Sequence, residues 1–199
     1  MPRKRSSDTR QLILNRAMDL ASVEGLEGVS IAGIADALDM SKSGVIGHFK
    51  SKEDLQLATV GAARRLFESE VLGSIDAEPG IARLQAMGES WIRYVEGGHF
   101  AGGCFFWAAS AEFDGRPGAV RDLLAELTGS WLDAIQNEAR LAQRLGEIGR
   151  GEDPEQLAFE LHAYVQEANW SFQLLRRQDA FLRARRAVSD RIERAADRS

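Results

Sequence analysis

SIAGIADALDMSKSGVIGHFKSKED, residues 30–54, decides the fold. Ser30 stands where an N-cap belongs, its hydroxyl placed to accept a first-turn N–H. Ile31, Ile34, Ala35 and Leu38 follow at i, i+3, i+4 and i+7 and give a short helix one apolar face. Asp39 and Met40 make the break. Ser41 can cap a second short helix reaching about His48, with Val45 and Phe49 facing inward and Lys42, Ser43 and Gly47 left outward. Ser51 opens a third helix with Asp54 three residues on, the S-x-x-D form of the capping box. Two short helices with a tight turn, braced by longer ones, leave the second proud of the surface, where side chains reach base edges in a major groove.

A helical hairpin buried in a bundle would want bulk on that outward face. Lys42, Ser43, Gly44 and Gly47 are instead small or polar. The two glycines each cost a helix about 1 kcal/mol relative to alanine, and close approach of the backbone to a partner is one reason to keep them. On residue chemistry Lys42 is the best candidate for a base-edge or phosphate contact, with Ser43 and Gly47 against the groove.

From Arg10 to Ala58 the chain resembles the N-terminal domain of the tetracycline-repressor (TetR/AcrR) family. The resemblance rests on Ile34-Ala35, Leu38, Met40 to Val45, His48 to Glu53 and Leu55, about a quarter of the chain. It implies a DNA-binding surface made of Ser30, Ser41, Lys42, Ser43, Gly47, His48 and Lys52. Within it Ser30, His48 and Lys52 resemble positions that hold the DNA backbone; their plainer roles are cap, core edge and solvated charge. One departure matters: the family usually has Tyr where this chain has Ile46, and that Tyr commonly touches a phosphate. Ile46 has no polar atom with which to do so.

A chain of 199 residues with 44% apolar content can build a real core, as one unit or two small ones. No stretch approaches the roughly 20 uncharged apolar residues of a membrane span. Met1-Pro-Arg-Lys-Arg lacks the apolar segment of a secretory signal. The single cysteine, Cys104, excludes an internal disulfide framework, so the expected location is cytoplasmic. Cys104 reads as a small core residue, with a redox sensor as the alternative.

The net charge of −5 opposes nucleic-acid binding only until its distribution is considered. Residues 1–52 hold eight Lys/Arg and six Asp/Glu, a balance of +2, which leaves −7 for the remainder. Screening over roughly 10 Å at 0.1 M salt makes the local charge the one that matters. Residues 1–7 read as a solubilising tail or, beside DNA, as an arm in which Arg3, Lys4 and Arg5 follow the backbone.

Every other segment reads as helix. Asp8 to Glu24 carries an inward stripe of Leu12, Ile13, Ala17, Leu20 and Ala21, with Asp8 as cap and Gly25 as a left-handed stop. Ser51 to about Asp76 is one long helix. Ile81 to Glu96 is amphipathic. Cys104 opens a short apolar helix, and Gly102 to Asp122 resembles the C-terminal domain of one TetR branch. Pro117 starts a helix reaching about Ile148, and Asp153-Pro154 start another. A final Arg-rich helix carries Phe181, Leu182, Val188 and Ile192. The expected fold is all-α, with a helix-turn-helix domain over 1–58 and a helical effector-binding and dimerisation domain over 59–199.

No P-loop, G-x-G-x-x-G or G-x-S-x-G occurs, and His48, His99 and His162 show no metal-ligand spacing. No catalytic residue, cofactor or metal is expected, and no enzyme. Instead the body is rich in aromatics, and all four tryptophans lie outside the head. Rings beside small residues such as Gly102, Gly103, Ala108 and Ala109 can leave a cavity between helices. A small, largely apolar effector is therefore expected against Trp91, Phe106, Trp131 and Gln166. The partners expected are a double-stranded DNA operator, that effector and a second copy of the chain, with no membrane. The resemblance implies a homodimer built from the last two helices, a palindromic site and a repressor. The alternatives are a helical small-molecule-binding protein or enzyme with a vestigial DNA head, and a helical scaffold.

Overall fold

The computed structural model describes residues 2–196, with side chains from Ser7 onward. The described residues form nine α-helices and one 3-10 turn, and no strand. The protein is all-α. Its helices are α1 (Pro2–Glu24), α2 (Ile31–Ala37), α3 (Lys42–Ile46), α4 (Lys52–Glu70), α5 (Ile81–Glu96), α6 (Phe105–Phe113), α7 (Ala119–Leu145), α8 (Pro154–Leu175) and α9 (Ala180–Ala196). Two compact units divide them: Met1–Leu66 with Phe100–Leu127, and Phe67–His99 with Thr128–Ser199. The division expected after residue 58 falls inside α4. The first unit also includes α6 and the start of α7, which lie within the expected second domain, 59–199.

In the first unit α1 is longer than the sequence suggests. The helix is already running at Pro2, so Asp8 lies inside it rather than at its cap and accepts a hydrogen bond from the Ser7 hydroxyl at 3.4 Å. Arg3, Lys4 and Arg5, the expected arm, lie outside the residues whose side chains are described. The inward face is Ile13, Leu14, Ala17, Met18 and Ala21. Leu12, expected in that stripe, is 52% exposed, because the 100° stripe through Ile13, Ala17 and Ala21 takes in Leu14 and turns Leu12 away. Gly25 ends the helix with φ +82°, a backbone region open to glycine at little cost.

The core closes with Leu26, Val29, Ile34, Ala35, Val45, Phe49 and Leu55, all buried. α6 packs on the end of α1. Here Gly102 is not spare room beside a ring, as the sequence suggested, but a point of backbone contact. Its N–H donates to Ser22 Oγ at 3.0 Å, and a Cβ there would stand 1.8 Å from the Ser22 carbonyl oxygen.

In the second unit α4 stops at Glu70, short of the expected Asp76. The Val71 carbonyl accepts from two hydroxyls, Ser74 Oγ at 3.0 Å and Ser90 Oγ at 2.9 Å, and a Leu-Gly-Ser 3-10 turn replaces the next α-helical turn. The start of α5 is capped from α7 and from the turn that follows it. Gly80 N–H donates to the Glu138 carboxylate and Ile81 N–H donates to Glu147 Oε2 at 2.8 Å, so two orphan donors meet negative charge at the positive end of a helix. α7 begins at Ala119 rather than at Pro117, because Gly118 just before it adopts φ +145°. Asp153 caps α8 as expected, its Oδ1 accepting from Glu155 N–H at 2.9 Å.

α8, α9 and α5 pack together. Leu157, Leu161 and Ala168 of α8 and Phe181, Val188 and Ile192 of α9 are buried within the unit. Those parts of the last two helices are used inside the chain, whereas Leu175 on α8 and Leu182 on α9, which also belong to the expected apolar positions, are exposed. Phe159, Trp170 and Leu174 on α8 are also exposed, with Phe159 at 65% and Leu182 at 69%. Among the described residues no helix is long and apolar enough to cross a membrane.

Candidate functional site

The hairpin is built by its caps. Ser30 Oγ accepts from Gly33 N–H at 3.0 Å and Ser41 Oγ from Gly44 N–H at 3.1 Å. Between them Asp39 takes a left-handed φ of 50° and turns the chain. α3 closes at Ile46, and Gly47 and His48 complete a turn through N–H bonds to the Ser43 and Val45 carbonyls. Val45 and Phe49 are buried, as expected, and anchor this segment to the core. Ser41, Lys42, Ser43, Ile46 and Gly47 are left exposed together.

Of the residues expected to form the surface, Ser41, Lys42, Ser43, Gly47 and Lys52 are exposed. Ser30 is exposed at the start of α2, and His48 is half-buried, its ring 6.4 Å from that of Phe49. The hydroxyls of Ser30 and Ser41 are committed as acceptors; Ser30 keeps its proton to donate, while Ser41 Oγ and Ser43 Oγ, 3.1 Å apart, share one hydrogen bond. Arg10, absent from the expected set, lies with its guanidinium 5.1 Å from the Phe49 ring centre. The two residues are far apart in sequence, and only the fold brings this charge beside the end of α3.

Ser51 receives the Asp54 N–H at 3.0 Å, the expected half of a capping box. The other half is displaced by one residue: Asp54 Oδ2 accepts from Lys50 N–H at 2.8 Å. Lys52, expected to reach a phosphate, is held by Glu27 Oε1 at 2.6 Å. The Lys52 hydrogen bond, then that of Gln56 and the nearby charge of Arg116, keep the Glu27 carboxyl below the usual carboxylate range.

Trp91, Trp131 and Gln166 fall into one cluster in the second unit. The Trp91 and Trp131 rings meet edge to face at 5.6 Å, and Phe67 meets Trp131 at 5.2 Å. His162 stacks on Trp91 at 5.0 Å, and Gln166 Nε2 lies 3.3 Å from its Nε2. Burial holds His162 below its ordinary pKa, so its imidazole is neutral at pH 7. The Trp131 indole nitrogen is buried without a hydrogen-bond partner. Phe106 is not in that cluster; it lies in the first unit, edge to face with Phe105 at 5.5 Å. Cys104 is buried at the start of α6, and burial pushes its thiol pKa up, which disfavours the reactive thiolate.

A capped two-helix hairpin packed on α1, with one side of its second helix exposed, defines a helix-turn-helix DNA-binding regulator. Residues 13–59 match the family described as bacterial regulatory proteins, tetR family, and residues 80–188 match the tetracyclin repressor-like C-terminal domain. The chain belongs to the TetR family of transcriptional regulators. Solved structures align along nearly its whole length. One is a TetR transcriptional regulator from Chloroflexus aurantiacus, 22% identical over 96% of each chain, with a TM-score of 0.87. A protein from Saccharomonospora viridis in complex with choline is 24% identical over 94% of this chain and 96% of that one, with a TM-score of 0.76. AibR, in complex with isovaleryl coenzyme A and operator DNA, is 25% identical over 94% and 97%, with a TM-score of 0.72. No curated protein matches the sequence.

Proposed function

We propose that this regulator is a cytoplasmic repressor that binds a palindromic operator as a homodimer and is released by a small, largely apolar effector. The exposed side of α3 and its caps carries the proposal: five exposed residues, one cation and no other bulky polar group, on a hairpin fixed by two serine caps. Lys42 reaches a base edge or nearby phosphate. Ser43 and Gly47 lie against the groove. Ser30, Ser41, His48 and Lys52 position the backbone, with Arg10 beside them.

Exposed Phe159, Trp170, Leu174 and Leu182 support the dimer, since a second copy would bury them. A two-fold dimer sets two recognition helices about one DNA turn apart, roughly 34–36 Å, or a multiple of it, and so demands a palindrome. The AibR complex, with both an acyl-CoA and operator DNA, supports an effector. We place it against Trp91, Trp131 and Gln166, the three expected residues that lie together. The Trp131 N–H asks for an acceptor on the ligand. The effector releases DNA through different affinities for two states, typically worth 1–3 kcal/mol of coupling.

Fragments of the source genome selected on the protein, followed by mobility shifts, test the reading. The expected result is an inverted repeat whose binding is weakened by Lys42→Ala. Unchanged affinity and salt dependence in both Lys42→Ala and Lys52→Ala would remove this surface from the site.

A further inference from the structure

Ile46 stands apart from the rest of the α3 face. Its neighbour Val45 is fully buried, while Ile46 is 56% exposed. It lies four residues after Lys42 and three after Ser43, on the same side of the helix. Lys42, Ser41 and Ser43 bring polar groups to that face, and Gly47 brings only backbone. Ile46 alone presents a large apolar group there. Its β-branch restricts χ1, so the side chain meets a partner with little rotamer freedom to lose.

A phosphate offers nothing to such a group. Within a major groove the one apolar feature is the thymine C5-methyl. We propose that Ile46 is a specificity-determining residue that packs on a thymine methyl in each operator half-site. The inference rests on the reading that α3 enters the major groove, and it adds a preference that neither the polar residues nor the backbone contacts supply. Because Ile46 touches no phosphate, its contribution is independent of salt, in contrast with that of Lys42 or Lys52.

The test uses the operator taken from genome selection and replaces each thymine in turn by deoxyuridine. This removes the C5-methyl and leaves base pairing and hydrogen-bonding groups intact. Binding constants are measured at several salt concentrations for the wild-type protein, Ile46→Val and Ile46→Ala. The expected result is one symmetry-related position at which deoxyuridine weakens wild-type binding about fourfold, the value of one buried methyl. Ile46→Val keeps most of that loss, Ile46→Ala abolishes it, and the salt slope stays the same in all three. A wild-type protein that binds the operator with no deoxyuridine-sensitive position overturns the inference and leaves the DNA-binding reading standing. So does a sensitivity that persists in full in Ile46→Ala. A wild-type protein that selects no sequence overturns both. Since the side chain is exposed, thermal melts of the variants are expected to match the wild type, which keeps a binding change from being a folding defect.

Discussion

Glu27 holds Lys52: one carboxylate oxygen accepts the ammonium at 2.6 Å, and the other accepts Gln56 Nε2 at 3.1 Å with Arg116 at 3.8 Å. The lysine proposed to touch DNA is therefore already partnered within its own unit. Both side chains are 45% exposed, so the pair is screened and contributes little to stability. Its larger effect is on binding. Glu27→Gln removes a negative charge from the DNA-facing side and releases Lys52. Operator affinity is expected to rise, and the slope of log K against log salt to steepen by up to about 0.9, the value of one phosphate contact. Titrations at four or five salt concentrations read both quantities. A weaker complex with an unchanged slope would instead make Glu27 the residue that aims Lys52.

Gly47 separates stability from function. A Cβ there would lie 3.5 Å from the Ser43 carbonyl oxygen, an ordinary contact. The protein's own packing therefore does not require glycine, and φ is −61°, which any residue adopts. Gly47→Ala is expected to raise head stability by up to ~1 kcal/mol while weakening operator binding, because the methyl group occupies the space proposed for the groove wall. A melt and a mobility shift on the same preparation decide it. Equal or better binding would show that the backbone does not come close to DNA here.

Gly102 behaves in the opposite way. Its Cβ would overlap the Ser22 carbonyl, and neither side of that contact is a flexible side chain. Gly102→Ala is expected to cost about 1–3 kcal/mol, or more if the α1–α6 junction opens, read as a lower denaturant midpoint. Ala101→Gly, one residue away at an exposed position, serves as the control and should shift the midpoint little.

His162 sets a pH dependence. Burial depresses its pKa below the ordinary 6.5. Between that lowered value and about 6.5 the unfolded chain takes up a proton that the folded chain refuses. The contribution to stability is intact above this window and is lost as pH falls through it. Melting temperatures from pH 8 to pH 5 are expected to fall more steeply for the wild type than for His162→Gln, which has no imidazole to charge. Parallel curves would show that His162 finds a compensating partner when protonated.

How much of this was open to reading from sequence follows from distance along the chain. The hairpin was legible because its determinants are local: a serine before each short helix, apolar residues at spacings of three and four, and the inward pair Val45 and Phe49. Helix ends were read less well, since they depend on partners. α4 stops where the hydroxyls of Ser74 and Ser90 donate to the Val71 carbonyl, and α5 begins on carboxylates from α7 and the turn after it. The Lys52–Glu27 pair and the Arg10–Phe49 contact join residues far apart in sequence. The aromatic set was found in part: Trp91 and Trp131 do meet, whereas Phe106 belongs to the other unit, because aromatic content marks a core without saying which helices share it.

The hydrogen bond from Gly102 to Ser22 closes a gap of 80 positions, and that from Glu27 to Glu112 closes one of 85. During synthesis the helix-turn-helix leaves the ribosome long before the segment that completes its support. Contacts of such separation bear a loop-closure entropy that local helix formation does not. The helix-turn-helix is thus made before α6, and its support is completed only once α6 has followed. A nascent chain halted before α6 is expected to expose the apolar flank that Phe105, Ala109 and Phe113 otherwise help to close, surface that is prone to aggregate until it is covered.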